Sequence, residues 1–217
     1  MIKTYTNIIF DFDGTLVDTA PDILDCLRKS YRVALKREVE IKRNIVGSPL
    51  TQMINKLTPE LNDAEARGVV RVFRKLYDNN DFTKTRLFPT VKQILRHFQE
   101  VGARQFVVTN KPRFVTQLLI NKFEIPYFQE VVNYDSFLGR SLSKTQMVGY
   151  LVSKHQMPLR ESLLVGDTSS DVIAARENDM KSVAVMNGYG TKTEILLAKP
   201  HYIIQSIKEL LAIVNYR

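Results

Sequence analysis

Asn7-Ile8-Ile9-Phe10-Asp11-Phe12-Asp13-Gly14-Thr15 begins as an apolar run and stops abruptly at two acids and a glycine. Residues 7–10 read as a strand apolar on both faces, which is the pattern of a parallel sheet covered on each side. Further apolar, β-branched runs occur at residues 105–108, 130–132, 162–165, 182–185 and 202–204. Amphipathic patterns at residues 90–101, 113–123, 144–155, 170–178 and 205–214 predict helices between and after them. Right-handed crossovers then give an α/β fold, a doubly wound parallel sheet.

One interval breaks the alternation. Between about residues 20 and 85 there is no convincing strand, yet Ile23, Leu27 and Tyr31, and then Val69, Val72, Phe73 and Leu76, recur at helical spacing. Helices are predicted over 18–36 and 63–78, with Asp63 as the cap of the second. The expected organisation is a core of residues 1–17 and 86–217 with an inserted all-helical domain at 18–85.

Composition narrows the class. The chain has 217 residues, 44% apolar and 25% charged, with 9 Gly and 8 Pro, which excludes disordered and collagen-like chains. No stretch approaches the ~20 apolar residues of a membrane span, and residues 1–10 do not read as a secretory signal. Cys26 is the sole cysteine, so no internal disulfide forms, and cytoplasm is the expected compartment. The net charge of +8 comes from scattered Lys and Arg and not from a tract. A small anionic substrate accounts for that balance, and neither a nucleic-acid nor a membrane partner is expected. A monomer or homodimer is expected.

Ligands of open parallel sheets bind at the carboxyl ends of the strands. Those ends read Asp11-Phe12-Asp13-Gly14-Thr15, Thr109-Asn110-Lys111 and Gly166-Asp167-Thr168-Ser169-Ser170-Asp171, and Lys144 opens the helix before the third. Asp11 and Asp13, one residue apart, can face one pocket, where their charges repel unless a cation intervenes or their roles differ. Asp167 and Asp171 add oxygen donors of the hard type that suits Mg²⁺. Thr109 and Lys144 supply a hydroxyl and a positive charge for an oxyanion such as phosphate.

Together these segments resemble the four motifs of the haloacid dehalogenase superfamily, in order and over nearly the whole chain: Asp11-Phe12-Asp13-Gly14-Thr15, Thr109, Lys144, and Gly166-Asp167 followed by Asp171. The helical insertion matches the position of that family's helical cap. The resemblance implies a Mg²⁺-dependent phosphatase working through an aspartyl-phosphate. Asp11 would be the nucleophile and Asp13 the acid and base. Asp11, the Asp13 carbonyl and Asp167 would hold the metal, with Asp171 acting through water or in the surrounding shell. Thr109, the Asn110 N–H and Lys144 would hold phosphoryl oxygens, and Gly14 would allow the tight turn beneath them. Asp13 itself separates phosphatases from dehalogenating and phosphonate-cleaving relatives.

Within the family, residues 10–22, Val108-Thr109-Asn110-Lys111-Pro112 and Asn187-Gly188-Tyr189-Gly190 resemble the phosphoglycolate phosphatases. The third motif departs from theirs: Ser143-Lys144-Thr145-Gln146 keeps the lysine without its prolines. The loop from Arg43 to Pro49 resembles the cap loop that faces the site, which makes Arg43 a candidate partner for a substrate carboxylate. Pyrophosphate, nucleotide and sugar-phosphate hydrolysis are the alternatives, followed by a phosphomutase or a receiver-type phospho-acceptor domain.

Plainer readings exist for each residue. Asp11 to Asp22 starts like a calcium loop but has Leu16 and Asp22 where that loop needs Gly and Glu. Asp167 alone reads as a helix cap, Asp171 as a solvated first-turn acid, Thr109 as a cap and Lys144 as a surface lysine; their joint occurrence argues for a site. Lys111 stays open between a supporting and a surface role. His97, His155 and His201 are too dispersed for zinc or a triad. Cys26 reads as a packed apolar residue.

Overall fold

The structure, a computed structural model, describes residues 5–214. Its centre is β1 (Asn7–Phe10), hydrogen-bonded in parallel to β4 (Arg104–Thr109) on one side and β6 (Ser162–Gly166) on the other. With β5 (Glu130–Asn133), β7 (Lys181–Val185) and β8 (Tyr202–Ile204) these form a six-stranded parallel sheet of order β5-β4-β1-β6-β7-β8. The chain runs outward from β1 to β5, then crosses back to β6 and runs outward the other way. The order therefore reverses beside β1, the position at which such sheets open a ligand crevice.

The central strands are apolar over most of their length because both faces are covered. Ile8 and Phe10 point to one face, packing with Val107, Leu163 and Val165 under α4 (Val91–Glu100) and α5 (Arg113–Phe123). Ile9 points to the other, with Phe106, Val108 and Leu164 under α6 (Lys144–Lys154) and α7 (Ser169–Glu177). Each fully buried side chain of this size contributes about 1.5–3 kcal/mol. Burying apolar surface on both faces of β1 fixes the strand whose end carries Asp11.

After β1 the chain turns through Asp13 to Thr15 into β2 (Val17–Asp18), which pairs antiparallel with β3 (Arg86–Leu87). Between β2 and β3 lie α1 (Ala20–Leu35), α2 (Leu50–Leu57) and α3 (Asp63–Asp78). Tyr31, Ile54 and Val69, one from each helix, form a small core, and the Tyr31 hydroxyl bonds the Thr58 hydroxyl at 2.7 Å. A second set of helical residues, Ile23, Cys26, Met53, Phe73 and Tyr77, joins the main core, so Cys26 is packed as expected.

Two local expectations are corrected. Asn62, not Asp63, caps α3: its side chain accepts from the Ala64 and Glu65 N–H groups, and Glu65 returns a bond to the Asn62 N–H. This is a capping box, and it leaves Asp63 in the first turn, where an acid suits the helix dipole. The helix predicted over 205–214 is shorter, a 3-10 turn at Ile207–Glu209 running into α9 (Leu210–Ile213). Glu209 accepts from the Gln205 and Ser206 N–H groups, which holds those two residues outside the helix. Two short α-helices went unread, α2 and α8 (Lys192–Ala198), where Thr191 is the cap, and so did the two-residue strands β2 and β3.

Candidate active site

Strand register brings the motifs together. Phe10 lies opposite both Val107 and Val165, so Asp11, Thr109 and Asp167 all emerge one or two residues later at the same sheet edge. The carboxylates of Asp11, Asp167 and Asp171 are buried and offer oxygens within 4.8 Å of one another. Lys144, at the start of α6, lies between two of them, 2.8 Å from Asp11 and 2.7 Å from Asp171. Three carboxylates and one ammonium leave two net negative charges, which is the charge a divalent cation neutralises.

Each acid is held by different donors. Asp167 accepts from the Thr15 hydroxyl at 2.9 Å and the Tyr189 N–H at 2.7 Å. Asp171 accepts from the N–H and hydroxyl of Thr168 at 3.0 and 2.7 Å, closing the first turn of α7. Thr168, not Asp167, is the cap of that helix, and Asp171 is buried, so the solvated-acid reading is set aside. Gly14 sits at φ +88° against Asp167, and a Cβ there would overlap that carboxylate. Only glycine combines that backbone conformation with so close an approach.

The charge state follows from burial. Desolvation, then repulsion from Asp171 and Asp167, raises the Asp11 carboxyl well above the ordinary range against the pull of Lys144. Desolvation and Asp171 push Asp167 up to about 6, opposed by the Tyr189 N–H, Lys144 and Thr15. Burial disfavours the Lys144 charge, but Asp11 and Asp171 more than offset it, so its pKa stands above that of a free lysine. The cluster is electron-rich and short of positive charge, as expected of oxygen donors arranged for a cation.

Asp13 stands apart from the cluster. Its carboxylate accepts from the Thr19 hydroxyl at 2.7 Å and from Lys111 Nζ at 3.0 Å. Lys111 is buried, and the Tyr77 hydroxyl of α3 takes its ammonium at 2.6 Å, so the residue left open by the sequence supports Asp13. Thr109 is buried, and its hydroxyl accepts the Lys111 N–H at 3.1 Å. Asn110 reaches the Gly47 carbonyl at 3.4 Å. Asp11, Asp13, Thr109, Asn110, Lys111 and Lys144 all line a cavity of about 530 Å³ whose far wall is Ile23, Leu50, Met53, Val70, Phe73 and Tyr77 of the helical block.

Arg43 is not brought to this cavity. It pairs with Asp18 at 2.8 Å and lies over the Tyr189 ring, 5.2 Å from its centroid. An acid two residues before α1 takes the guanidinium. Tyr189 carries no sequence signal beyond its place in Asn187-Gly188-Tyr189-Gly190. Its hydroxyl accepts from the Thr19 and Ala20 N–H groups at 2.7 and 3.0 Å, pinning the start of α1 to the core. Tyr77 gave no sequence signal beyond an aromatic on a helical face.

This arrangement of a doubly wound sheet, an acid-bearing turn after its first strand and a helical block over the crevice has a known family. The family model of haloacid dehalogenase-like hydrolases matches residues 8–185, and the chain belongs to that family. Among curated relatives, a phosphoglycolate phosphatase of Vibrio vulnificus is 30% identical over 217 residues, 95% of each chain. One from Photobacterium profundum is 29% identical, covering 96% of this chain and 95% of its own. A haloacid dehalogenase-like hydrolase from Streptococcus pneumoniae superposes with a TM-score of 0.87 over 97% of this chain and 99% of its own, at 23% identity. The last shares the fold.

Proposed function

We propose that the protein is a Mg²⁺-dependent phosphatase that hydrolyses a small phosphorylated metabolite through an aspartyl-phosphate on Asp11. The observation that carries this is the buried Asp11, Asp167, Asp171 and Lys144 cluster at the sheet edge where the chain order reverses. Asp11, Asp167 and the Asp13 carbonyl are the ligands proposed for Mg²⁺, with Asp171 acting through water or by orienting the others. When bound, the cation would offset the mutual repulsion of the Asp11, Asp167 and Asp171 carboxylates and their repulsion of a phosphate dianion.

Asp11 then attacks phosphorus, forming a new O–P bond as the bond to the alcohol oxygen breaks. Asp13 gives that oxygen its proton, and in the second half takes one from the water that cleaves the acyl phosphate. Asp11 is regenerated and inorganic phosphate leaves. Lys144, the Thr109 hydroxyl and the Asn110 N–H hold the phosphoryl oxygens through both halves. Residues 18–85 serve as a cap over residues 1–17 and 86–217, selecting the leaving group and keeping bulk water out.

Phosphoglycolate is the substrate we favour, since the relatives above carry that name. The test is phosphate release from a panel of phosphorylated metabolites with Mg²⁺ and with excess chelator. Mg²⁺-dependent release with phosphoglycolate in the lead is expected; undiminished release in chelator would remove the metal.

A further inference from the structure

Three cations line the catalytic cavity: Lys111, Lys144 and Arg74. Two are committed. Lys144 is shared between Asp11 and Asp171, and Lys111 pairs with Asp13. Arg74, on α3, is different: its guanidinium donates to the Tyr134 hydroxyl at 3.1 Å, and among the described residues no carboxylate pairs with it. Asp78, one turn further along the same helix, also lines the cavity but does not reach it. The rest of the helical side combines apolar Met53, Val70 and Phe73 with the neutral Ser48, Thr51 and Gln52, so among the described residues Arg74 is the one cation that block brings to the cavity.

Tyr134 ties this arginine to the chemistry. Its N–H donates to the Thr109 carbonyl at 3.1 Å, so the residue that meets Arg74 is anchored on the residue proposed to hold phosphate. The Arg74–Tyr134 pair thus joins the helical block to the core across the cavity. A guanidinium keeps spare N–H donors when one is used, and its planar fork matches carboxylate or phosphate oxygens two at a time.

We propose that Arg74, with the Tyr134 hydroxyl beside it, binds a second anionic group on the leaving-group side of the substrate, so that the preferred substrate is a phosphate ester bearing a further carboxylate or phosphate. This role takes the place of the one expected of Arg43, and it rests on the phosphatase reading above.

The experiment compares kcat/KM for phosphoglycolate, ethylene glycol bisphosphate and ethyl phosphate in wild type, Arg74→Met and Arg74→Lys. Wild type is expected to favour an anionic ester over ethyl phosphate. Whichever of phosphoglycolate and the bisphosphate leads identifies the second anion as carboxylate or phosphate. In Arg74→Met that preference ratio falls by roughly tenfold or more, chiefly through KM, and Arg74→Lys recovers part of it. A parallel loss on all three esters, or an unchanged ratio, overturns the assignment of Arg74 alone. Absence of phosphate release from every ester in wild type overturns the phosphatase reading and this inference with it.

Discussion

Asp11 and Lys144 are buried and paired, and Lys144 keeps a second partner in Asp171, so a neutral residue of the same shape at position 11 leaves no charge unpaired. Asp11→Asn keeps the shape but removes the nucleophile, so turnover should fall by a thousandfold or more with the melting transition intact, as read by phosphate release beside circular dichroism. A variant that released phosphate at the wild-type rate would refute the nucleophile. Lys144→Met leaves three carboxylates without their counter-charge. Removing one partner of a buried ionic group costs about 3–5 kcal/mol, and urea unfolding should show such a loss in metal-free buffer, reduced when Mg²⁺ is added. Gly14→Ala forces a Cβ into Asp167 at positive φ, and we expect a loss of about 2–4 kcal/mol together with activity.

Among the elements, the sheet was the easiest to read. β1 and the inner strands β4, β6 and β7 were legible because strands covered on both faces are mostly apolar, and the edge strands β5 and β8, only partly buried, because of their β-branched residues. The acids were legible because they interrupt those runs. What escaped reading depends on long-range partners: the short α2 and α8, the choice of Asn62 over Asp63 as cap, and above all which cation meets which acid. Arg43 and Arg74 look alike in sequence, and only the fold gives Asp18 to one and the cavity to the other. The link between α6 and β5 also has a pH signature. Burial raises the Glu130 carboxyl, but hydrogen bonds from Lys154 and His155 outweigh it and hold its pKa below the ordinary glutamate value. A depressed carboxyl stabilises the fold above its unfolded pKa, and that contribution is lost as pH falls through the lower folded value. Glu130→Gln should therefore cost about 1 kcal/mol near pH 7, a difference that shrinks as pH falls below the ordinary glutamate range and vanishes below the folded pKa in urea titrations.

At the level of the whole molecule, a divalent cation would bind a site assembled from β1, β6 and α7, which exists only in the folded chain. Mg²⁺ at a hundred times its Kd then adds about 2.7 kcal/mol and raises Tm, whereas Asp167→Asn should lose that response. A Tm indifferent to Mg²⁺ would count against the cation. Among the described residues no helix is long and apolar enough to cross a membrane.

The most direct measurement is covalent. p-Nitrophenyl phosphate needs no proton on its leaving group, so Asp13→Asn should still be phosphorylated by it while hydrolysis of the acyl phosphate stalls. Acid quench followed by peptide mass analysis should find one phosphoryl group on the peptide containing Asp11, and none once Asp11→Asn is added. Phosphate released with Asp11 never modified, or a phosphoryl group on another residue, would contradict the account.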